Sequence, residues 1–428
     1  MDTVPRVITT GIPRLSALSE NTFTDGEVLQ ILLFLLPPIC ALLAVHWIFP
    51  YILRIAKSKQ LVDNPGERKV HHEAVPVLGG IAVIFGSLVG SLAYSIIGSG
   101  EGAYMPIAIT SFIIMYVGAV DDLLGLTATR RFFIEILVVL ALVYSSGMCV
   151  DSLHGLWGVY TFSWWLAVPL TVVGGVGLIN AYNMVDGVNG LSSGLGVLGT
   201  FVMGLVFYAR HDMATSTLAF CVCAGLLVFY AHNVFGMKSK MFIGDSGTMS
   251  LGLLFIWFAI LFLSSTNVDA VNCPAANCST CHVTCLIPNV NQVSLMLSVC
   301  SVPVFDTLRV MTGRLLRHES PFHADNTHLH HMLLRSGAGH FVTSLFEVIL
   351  NILVIVLWYV TYRCGMGMDM QLYVTVLLSM FLVWGTFWFL RYHELHATKV
   401  FARLRQSFRD ARQRQEQFWL RLQEYVDR

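Results

Sequence analysis

The sequence predicts an all-α, polytopic membrane protein with about eleven transmembrane helices. Composition is the first reason: 55% of the 428 residues are hydrophobic, 12% are charged, and the mean hydropathy is +0.68. Soluble domains carry about 25% charged residues, so this chain has too few charges to cover a globule in water. The second reason is that its apolar residues occur in long runs. The formal net charge of +0 gives no indication of a nucleic-acid partner.

Runs of about 20 mostly apolar residues mark the predicted membrane helices, because that length crosses the hydrocarbon core. Several of the runs contain glycine or proline, which membrane helices tolerate. The predicted spans are 28–54, 77–98, 105–121, 132–149, 163–181, 192–209, 214–233, 247–265, 291–312, 342–362 and 371–391. Together they form one transmembrane domain, predicted over 28–391. Residues 1–27 are polar and lack the basic n-region and apolar core of a signal peptide.

Lysine and arginine residues predict the orientation, because short cytoplasmic loops carry an excess of them. Of the 26 basic residues, 22 lie on one set of flanks, and nine of these belong to the tail that starts at Arg391. The opposite side keeps Arg6, Arg14, Arg210 and Arg363. The N-terminus is therefore predicted to lie outside and the C-terminus in the cytoplasm.

Five polar motifs fall on the predicted cytoplasmic side. They are HHEAVPVLGG (71–80), the pair Asp121 and Asp122, NAYNMVDGVNG (180–190), MFIGDSG (241–247) and GRLLRHESPFHADNTHLHH (313–331). A transporter is expected to hold its polar groups near the bilayer midplane. The helix interiors here are expected to be nearly free of acids, with Glu135 near a helix end. A cluster at one interface indicates chemistry between a water-soluble and a membrane-bound reactant.

The order VDD, NAYNMVDGVNG, FIGDSG and SPFHADNTHLHH resembles the polyprenyl-phosphate N-acetylhexosamine-1-phosphate transferases, over roughly 28–391. The HLHH ending is most similar to the bacterial branch that starts O-antigen, enterobacterial common antigen or wall teichoic acid synthesis. The resemblance implies the family's helical bundle in the bacterial inner membrane, with a cytoplasmic active site. It also implies transfer of a sugar 1-phosphate, GlcNAc-1-phosphate by default, from a UDP-sugar to undecaprenyl phosphate, with release of UMP. A transporter of a nucleotide sugar or a lipid-linked intermediate is the alternative.

Asp121 and Asp122 are candidate catalytic residues, and Asp186 is the third. Adjacent carboxylates point about 100° apart on a helix, so both cannot face one ligand equally. One of the pair can act on the lipid phosphate while the other orients a metal or a cation. The alternative is a solvated helix end.

Asn183, Asp186 and Asn189 follow an i, i+3, i+6 spacing, which predicts three oxygen-bearing side chains on one helical face. Such a face suits a ribose, a pyrophosphate or Mg²⁺, and Gly187 and Gly190 let a ligand approach the backbone. A turn rich in asparagine and glycine is the alternative. Many relatives have aspartate at the position of Asn189, so the resemblance implies a metal-binding role there.

Phe242 and Asp245 lie just before the eighth predicted span. The resemblance implies that Asp245 binds Mg²⁺, with Mn²⁺ as the alternative ion, and that Phe242 stacks on uracil. From the residues alone, Asp245 also fits a helix N-cap, and Phe242 fits an aromatic residue at the membrane interface.

Arg314, His328, His330 and His331 are candidate substrate-binding residues. The resemblance implies that the histidines contact the diphosphate and that Arg314 helps to hold the sugar nucleotide. Zinc is disfavoured, because Asp325 is the sole other metal-ligand type beside the histidines. A basic cytoplasmic loop is the alternative and explains Arg314, but it does not explain the histidine spacing.

The expected mechanism starts from charge, because both reactants carry phosphate and repel each other. A phosphate acceptor has a second pKa of about 6, so it needs no strong base. Direct attack on the β-phosphorus, with Asp121 or Asp122 deprotonating or orienting the acceptor, is favoured, and a covalent carboxylate intermediate stays open. The site requires Asp121 and Asp245 to lie close together.

Two segments lie outside these motifs. The predicted external loop 266–290 holds Cys273, Cys278, Cys281 and Cys285, and an oxidising compartment favours disulfides there, with zinc as an alternative. CSTCH also matches a haem-attachment pattern, but the loop is too short to enclose a haem. Residues 392–428 are predicted to form a basic amphipathic helix that lies on anionic lipid or pairs with another subunit in a homo-oligomer.

Overall fold

The computed structural model describes residues 25–63, 75–97, 105–265, 291–320 and 326–427. This part of the chain is mostly helical, with two short antiparallel strand pairs. The strands are β1 (Val62–Asp63), β2 (Val75–Pro76), β3 (Ser152–Leu156) and β4 (Val159–Thr161). The Cys-rich loop, the first half of HHEAVPVLGG and Asp325 lie outside the described residues.

The fifteen α-helices of the described residues follow in chain order. They are α1 (Asp25–Ser58), α2 (Gly79–Ile97), α3 (Met105–Leu124), α4 (Ala128–Ser146), α5 (Trp164–Met184), α6 (Leu191–Ala209), α7 (Met213–Phe235), α8 (Gly244–Leu263), α9 (Gln292–Val299), α10 (Ser301–Leu316), α11 (Leu329–Arg335), α12 (His340–Arg363), α13 (Met368–Ser379), α14 (Gly385–Leu395) and α15 (Lys399–Val426). A π-helical turn, Met380–Trp384, joins α13 to α14.

Nine helices in the described part of the chain are long and apolar enough to cross a membrane, counting α13 to α14 as one. The bent pair α9 and α10 brings the number to ten. The predicted count of eleven is therefore not confirmed, although the multi-pass architecture is. Helix α4, the predicted span 132–149, falls outside this set because Arg130, Arg131 and Glu135 lie within it.

The span predicted at 291–312 is broken rather than straight. Helices α9 and α10 meet at an angle of 78°. Pro303 has no backbone N–H to donate to the carbonyl of Val299, so a continuous helix loses that bond. The side chain of Asn351 on α12 donates to the Val299 carbonyl (3.0 Å) and accepts from the Val302 N–H (3.0 Å). Asn351 therefore satisfies the backbone groups that the break exposes.

Helix α8 is the centre of the bundle, and every residue from Ser246 to Leu263 is buried. Glycines on the neighbouring helices allow their backbones to approach it. A Cβ on Gly80 of α2 would lie 2.2 Å from the backbone nitrogen of Gly247, and one on Gly118 of α3 would lie 2.5 Å from Ser246 Cα. The N-terminus of α8 is therefore held tightly between α2 and α3.

The predicted tail helix is present as α15, and its C-terminal end docks on the bundle. The Asp427 carboxylate accepts backbone N–H groups from Met237, Lys238 and Ser239, at 3.1, 2.9 and 3.0 Å. These three residues form the connection between α7 and α8. Leu404 packs against the core nearer the start of α15. The C-terminal end of α15 therefore docks on its own chain.

Replacing Asn351 by leucine tests the cause of the break. The carbonyl of Val299 and the N–H of Val302 lose their partner inside the bundle, so we expect a stability loss of about 3 kcal/mol. Thermal unfolding in detergent measures this loss. Thr361→Val on the same helix is the control, since Thr361 Oγ1 donates to the Trp358 carbonyl of its own helix. Its expected cost is about 1 kcal/mol. Equal losses in both variants would contradict the assignment.

Replacing Asp427 by alanine tests the docking of α15. Hydrogen bonds to a charged group contribute about 1.5–3 kcal/mol each, so their loss should increase trypsin cleavage within α15 about tenfold or more. Limited proteolysis of the detergent-solubilised full chain measures the rate. Gln406→Ala is the control, since this exposed side chain donates to Asp410 within the same helix. An unchanged cleavage rate in Asp427→Ala shows that the contact does not hold the tail.

Candidate active site

The N-terminus of α8 is held by a carboxylate from another helix. Asp122, in the last turn of α3, accepts the backbone N–H of Asp245 (2.9 Å) and that of Ser246 (3.3 Å). The first N–H groups of a helix have no partner within it, so Asp122 acts as a tertiary cap. Gly244 has φ +70, and a Cβ there would lie 2.4 Å from Asp122 Oδ2. Asp245 itself lies in the first turn, so the N-cap alternative for it is wrong.

Asp121 makes different contacts from Asp122. Its Oδ1 accepts the N–H of Leu126 at 2.6 Å, and its Oδ2 lies 3.4 Å from Arg131 Nη1. The same Arg131 nitrogen lies 3.6 Å from Asp245 Oδ2. One guanidinium therefore joins Asp121 and Asp245, which confirms that they lie close together. Asp121 is buried, so this pair is not a fully solvated helix end.

Arg131 is a site residue that sequence reasoning missed. Its position suggested only the charge bias of a cytoplasmic loop. Besides the two aspartates, its Nε lies 3.6 Å from Glu135 Oε1, one helical turn further along α4. The available signal was its place just after the Gly-Leu-Thr turn that follows the aspartate pair. Arg131 is the cation that balances these acids.

The predicted single helical face of Asn183, Asp186 and Asn189 is wrong. Helix α5 ends at Met184, because the glycine-containing connection to α6 begins there, so Asp186 and Asn189 lie in that connection. Asn183 stays on α5 and donates Nδ2 to Asp245 Oδ1 at 2.7 Å and to Thr248 Oγ1 at 3.0 Å. Asn183 therefore orients the Asp245 carboxylate.

Asn189 contacts a different part of the bundle. Its backbone N–H donates to His340 Nδ1, at the start of α12, over 3.4 Å. Its buried Oδ1 has no hydrogen-bond partner within the described residues. These contacts place Asn189 beside α12 and give no support to its predicted role as a metal ligand with Asp245.

Asp186 is half-buried and accepts a hydrogen bond from Ser192 Oγ at 2.5 Å. Burial raises the pKa of its carboxyl group from 3.8 to about 7. The Ser192 hydrogen bond opposes this change, and the negative charge of Asp245 adds to it. Asn183, three residues before Asp186, donates to Asp245, so the α5–α6 connection begins near the α8 N-terminus.

The HLHH motif lies against the connection between α5 and α6. His328 and His330 are buried, with parallel rings whose centroids are 5.4 Å apart. A Cβ on Gly187 would lie 2.1 Å from His330 Nε2, so this ring packs on the Gly187 backbone. Burial lowers the pKa of His330 well below its usual value. His331 is half-buried, and its ring contacts that of His330.

The other two predicted substrate-binding residues lie at the same end. The backbone of Phe242 accepts the N–H of Gly79 (2.9 Å) and donates to the Pro76 carbonyl (2.8 Å), which fixes it against the start of α2. The Phe242 side chain is half-buried. Arg314 lies in the last turn of α10 and is buried. All five polar motifs therefore contribute described residues to one end of the bundle.

Two buried acids show that the expectation of nearly acid-free helix interiors is wrong. Asp306 on α10 and Glu347 on α12 are fully buried. Glu135 on α4 is buried as well and accepts a hydrogen bond from Asn180 Nδ2. Asp306 could have been found from its i, i+3 spacing to Arg309, a pattern that pairs opposite charges on a helix.

An apolar groove of about 430 Å³ runs along the bundle, from Leu153 and Leu263 near its opposite end to Ala181 and Met311 nearer the polar end. Its walls come from α5, α8, α9 and α10, and they include Leu170, Leu178, Ile256, Leu297 and Met311. Thr307, next to Asp306 in the chain, also lines it. The broken helix therefore connects an apolar groove with a polar end.

No group of three or more His, Cys, Asp or Glu side chains converges as a metal centre in the residues that the structure describes. Mg²⁺ does not require one, because it commonly takes one or two carboxylates together with waters and substrate phosphates. Asp245, with 31% of its side chain exposed and Asp121 beside it, has the donor chemistry that Mg²⁺ prefers. The residues present fit a magnesium ion that is bound together with substrate.

The helices and this cluster define a multi-pass membrane protein whose carboxylates and imidazoles converge at one end of the bundle. The family model of glycosyl transferase family 4 matches residues 104–263. A Bacillus subtilis (strain 168) protein named a probable undecaprenyl-phosphate N-acetylglucosaminyl 1-phosphate transferase is 31% identical over 305 residues, which cover 71% of this chain and 77% of that protein. The chain belongs to glycosyl transferase family 4.

Two further relatives are named undecaprenyl-phosphate alpha-N-acetylglucosaminyl 1-phosphate transferases. The protein from Yersinia pestis is 28% identical over 289 residues. The protein from Escherichia coli (strain K12) is 26% identical over 293 residues. Each alignment covers 66% of this chain and 72% of the relative.

Asp186 predicts a pH dependence of stability. Because its pKa is raised to about 7 in the folded protein, the folded state keeps a proton that the unfolded chain has released. That proton is lost as pH rises, so the contribution of Asp186 to stability should fall by about 1 kcal/mol between pH 6 and pH 8. Thermal unfolding without divalent cations measures the pH dependence, and Asp186→Asn should reduce it by about 1 kcal/mol relative to wild type.

Asp212→Asn is the control for this experiment. Asp212 accepts the N–H of Thr215 at the start of α7, at the opposite end of the bundle, and asparagine can still cap a helix. This variant should keep the wild-type pH dependence. The same pH dependence in wild type and Asp186→Asn would show that Asp186 is not its source.

Proposed function

We propose that the protein transfers a sugar 1-phosphate, with GlcNAc-1-phosphate as the first candidate, from a UDP-sugar to undecaprenyl phosphate and releases UMP. The observation that carries this proposal is the convergence of Asp121, Asp122, Asp186 and Asp245 with the HLHH motif at one end of the bundle. An apolar groove runs along the bundle and reaches Ala181 and Met311 on the side of this end. The names of the relatives support the acceptor, the sugar and the reaction.

The groove suits the lipid acceptor. A polyprenyl chain is apolar and has no hydrogen-bonding groups, so it needs a wall like the one between α5 and the broken helix α9–α10. Helix α10 runs from this groove to the buried Arg314, at the polar end. A phosphate at the end of the lipid would thus reach the aspartate cluster while its chain stays among apolar side chains.

The donor diphosphate is assigned to the HLHH motif and Arg314, and its uracil to Phe242. Donor and acceptor are both anions, and the cluster adds carboxylates, so positive charge is needed for them to approach. Mg²⁺ held by Asp245, with Mn²⁺ as the alternative, supplies that charge when bound. Arg131 holds Asp245 and Asp121 in fixed positions from the other side.

The contacts divide the roles of the acids. Both carboxylate oxygens of Asp122 accept backbone N–H groups of α8, which suits positioning of Asp245 more than nucleophilic attack. Asp121 is the candidate that orients the acceptor phosphate. Since a phosphate monoester is largely ionised near pH 7, direct attack by the lipid phosphate on the β-phosphorus is the favoured course. Asp245 would hold the Mg²⁺ ion, which would stabilise the charge on the leaving UMP.

We place the protein in a bacterial inner membrane with this end of the bundle in the cytoplasm. The distribution of lysine and arginine supports that orientation, and the relatives are bacterial. The transporter alternative has no support, because the relatives are named transferases.

Asp245→Ala tests the reaction. Purified protein with UDP-GlcNAc, undecaprenyl phosphate and Mg²⁺ should release UMP, and the variant should lose at least about 100-fold in kcat, since it loses a carboxylate at the reacting phosphates. UDP-GalNAc in parallel defines the sugar. Asp212→Asn, at the opposite end of the bundle, is the matched control and should stay near the wild-type rate. No UMP from wild type with any UDP-amino sugar, or uptake of intact donor into vesicles, would overturn the proposal.

A further inference from the structure

Asp306 is the centre of a buried polar cluster that the proposed reaction does not use. Its side chain is fully buried on α10. Its Oδ2 lies 2.8 Å from His328 Nδ1, and its Oδ1 accepts from Arg309 Nη2 at 2.7 Å and from Arg309 Nε at 3.2 Å. The backbone N–H of Leu329 also points at this carboxylate, at 3.2 and 3.3 Å from its two oxygens. One carboxylate thus joins α10 to the start of α11.

Arg309 is itself fixed on two further sides. Its Nη2 donates to the Thr327 carbonyl at 2.6 Å, and its guanidinium carbon lies 3.6 Å from the centre of the Phe387 ring on α14. A buried guanidinium with this many contacts has one orientation. Asp306 is therefore held by a rigid partner, and residues 327–329 are held by both side chains.

We propose that Asp306 is the positioning residue of the HLHH motif. With both ring nitrogens protonated, His328 donates its Nδ1–H to the Asp306 carboxylate, which fixes the plane of the ring, and its Nε2–H to a phosphate oxygen of the donor. A carboxylate on one ring nitrogen also stabilises positive charge on the imidazole, which favours an anionic ligand. This inference rests on the proposed function, because it assigns the phosphate that His328 binds to the UDP-sugar.

His328 is connected to the aspartate cluster through the ring of His330 and the backbone of Gly187. The His328 ring is parallel to that of His330, with 9° between the planes. His330 packs on Gly187, next to Asp186. A displaced His328 would therefore disturb both the donor phosphates and the connection that carries Asp186.

A double-mutant cycle tests whether Asp306 acts through His328. Asp306→Asn and His328→Ala should each lower kcat/KM for UMP release by about 100-fold, the usual loss for one positioned donor at a reacting centre. The double variant should be no worse than His328→Ala by more than about threefold, because the two residues act as one unit. Losses that multiply to about 10,000-fold would show that Asp306 does not act through His328.

A second variant separates positioning from folding. Asp306→Asn leaves Arg309 buried without its carboxylate, which destabilises the bundle. Asp306→Asn combined with Arg309→Gln removes both charges, so its thermal midpoint should return towards wild type while kcat/KM stays about 100-fold low. Recovery of activity together with stability in this variant would overturn the inference.

Glu347→Gln is the matched control. Glu347 is a fully buried acid that interacts electrostatically with Asp306 and Arg309. Its carboxylate oxygens have no hydrogen-bond partner within the described residues. A neutral isostere there keeps the His328 contact, so kcat/KM should stay within about threefold of wild type. A loss of activity equal to that of Asp306→Asn would mean that any buried charge in this cluster matters, and the inference would fail.

Binding of UDP-GlcNAc distinguishes this inference from the proposed reaction. The thermal midpoint measured at increasing UDP-GlcNAc concentrations gives the Kd without turnover. In the His328→Ala protein, adding Asp306→Asn should not weaken UDP-GlcNAc binding further. If wild type binds the UDP-sugar with this coupling but releases no UMP, the reaction is wrong and the role of Asp306 stands. If wild type releases UMP but the two residues are uncoupled in both assays, the reaction stands and the role of Asp306 is wrong. A wild type that neither binds the donor nor releases UMP overturns both.

Discussion

The capping of α8 by Asp122 is the interaction on which the rest of the site depends. The first backbone N–H groups of a helix have no partner within it, and each one that is buried without a partner costs several kcal/mol. Asp122 satisfies two of them from a different helix. The contact also fixes the direction of the first turn of α8, and with it the direction in which Asp245 points. Gly244 is required because any side chain there would occupy the space of the carboxylate.

The balance of charge explains why the site suits phosphate chemistry with a metal ion. Asp121, Asp245 and Glu135 lie around a single guanidinium, that of Arg131. Burial raises the pKa of Asp186, and the negative charge of Asp245 adds to this effect. A divalent cation would reduce the negative charge of these carboxylates and would also draw in two phosphate-bearing substrates. The protein can thus fold stably with these carboxylates close together, and the carboxylates still have affinity for Mg²⁺.

The broken helix α9–α10 connects the lipid side of the protein with its polar end. Pro303 and Asn351 allow the chain to turn by 78° without leaving buried backbone groups unsatisfied. The turn leaves an apolar groove against α5 and α8. Further along α10, Asp306 and Arg309 hold the start of the HLHH motif. One helix therefore contributes a wall for an apolar chain and supports for a phosphate-binding motif.

The sequence by itself determined the membrane class, most of the spans, and the set of motifs that meet at one end of the bundle. It could do so because apolar runs and basic flanks are local properties that the bilayer selects directly. It also identified Asp121 and Asp245, whose residue types are informative in their motifs. The spacing of Asn183, Asp186 and Asn189 gave a wrong prediction, because the helix ends at Met184 and helical spacing places side chains on one face only within a helix.

Only the tertiary structure decided which of these polar groups act on one another. Asp122 and Asp245 are 123 residues apart in the chain, and Asp306 and His328 are 22 apart. No local pattern in the sequence encodes such pairs. From the sequence, Arg131 therefore resembled an ordinary basic residue of a cytoplasmic loop, and Asp306 resembled a residue of an apolar span. Burial and packing bring them together, because a charged group that leaves water inside a membrane protein must find its partner wherever the fold provides one.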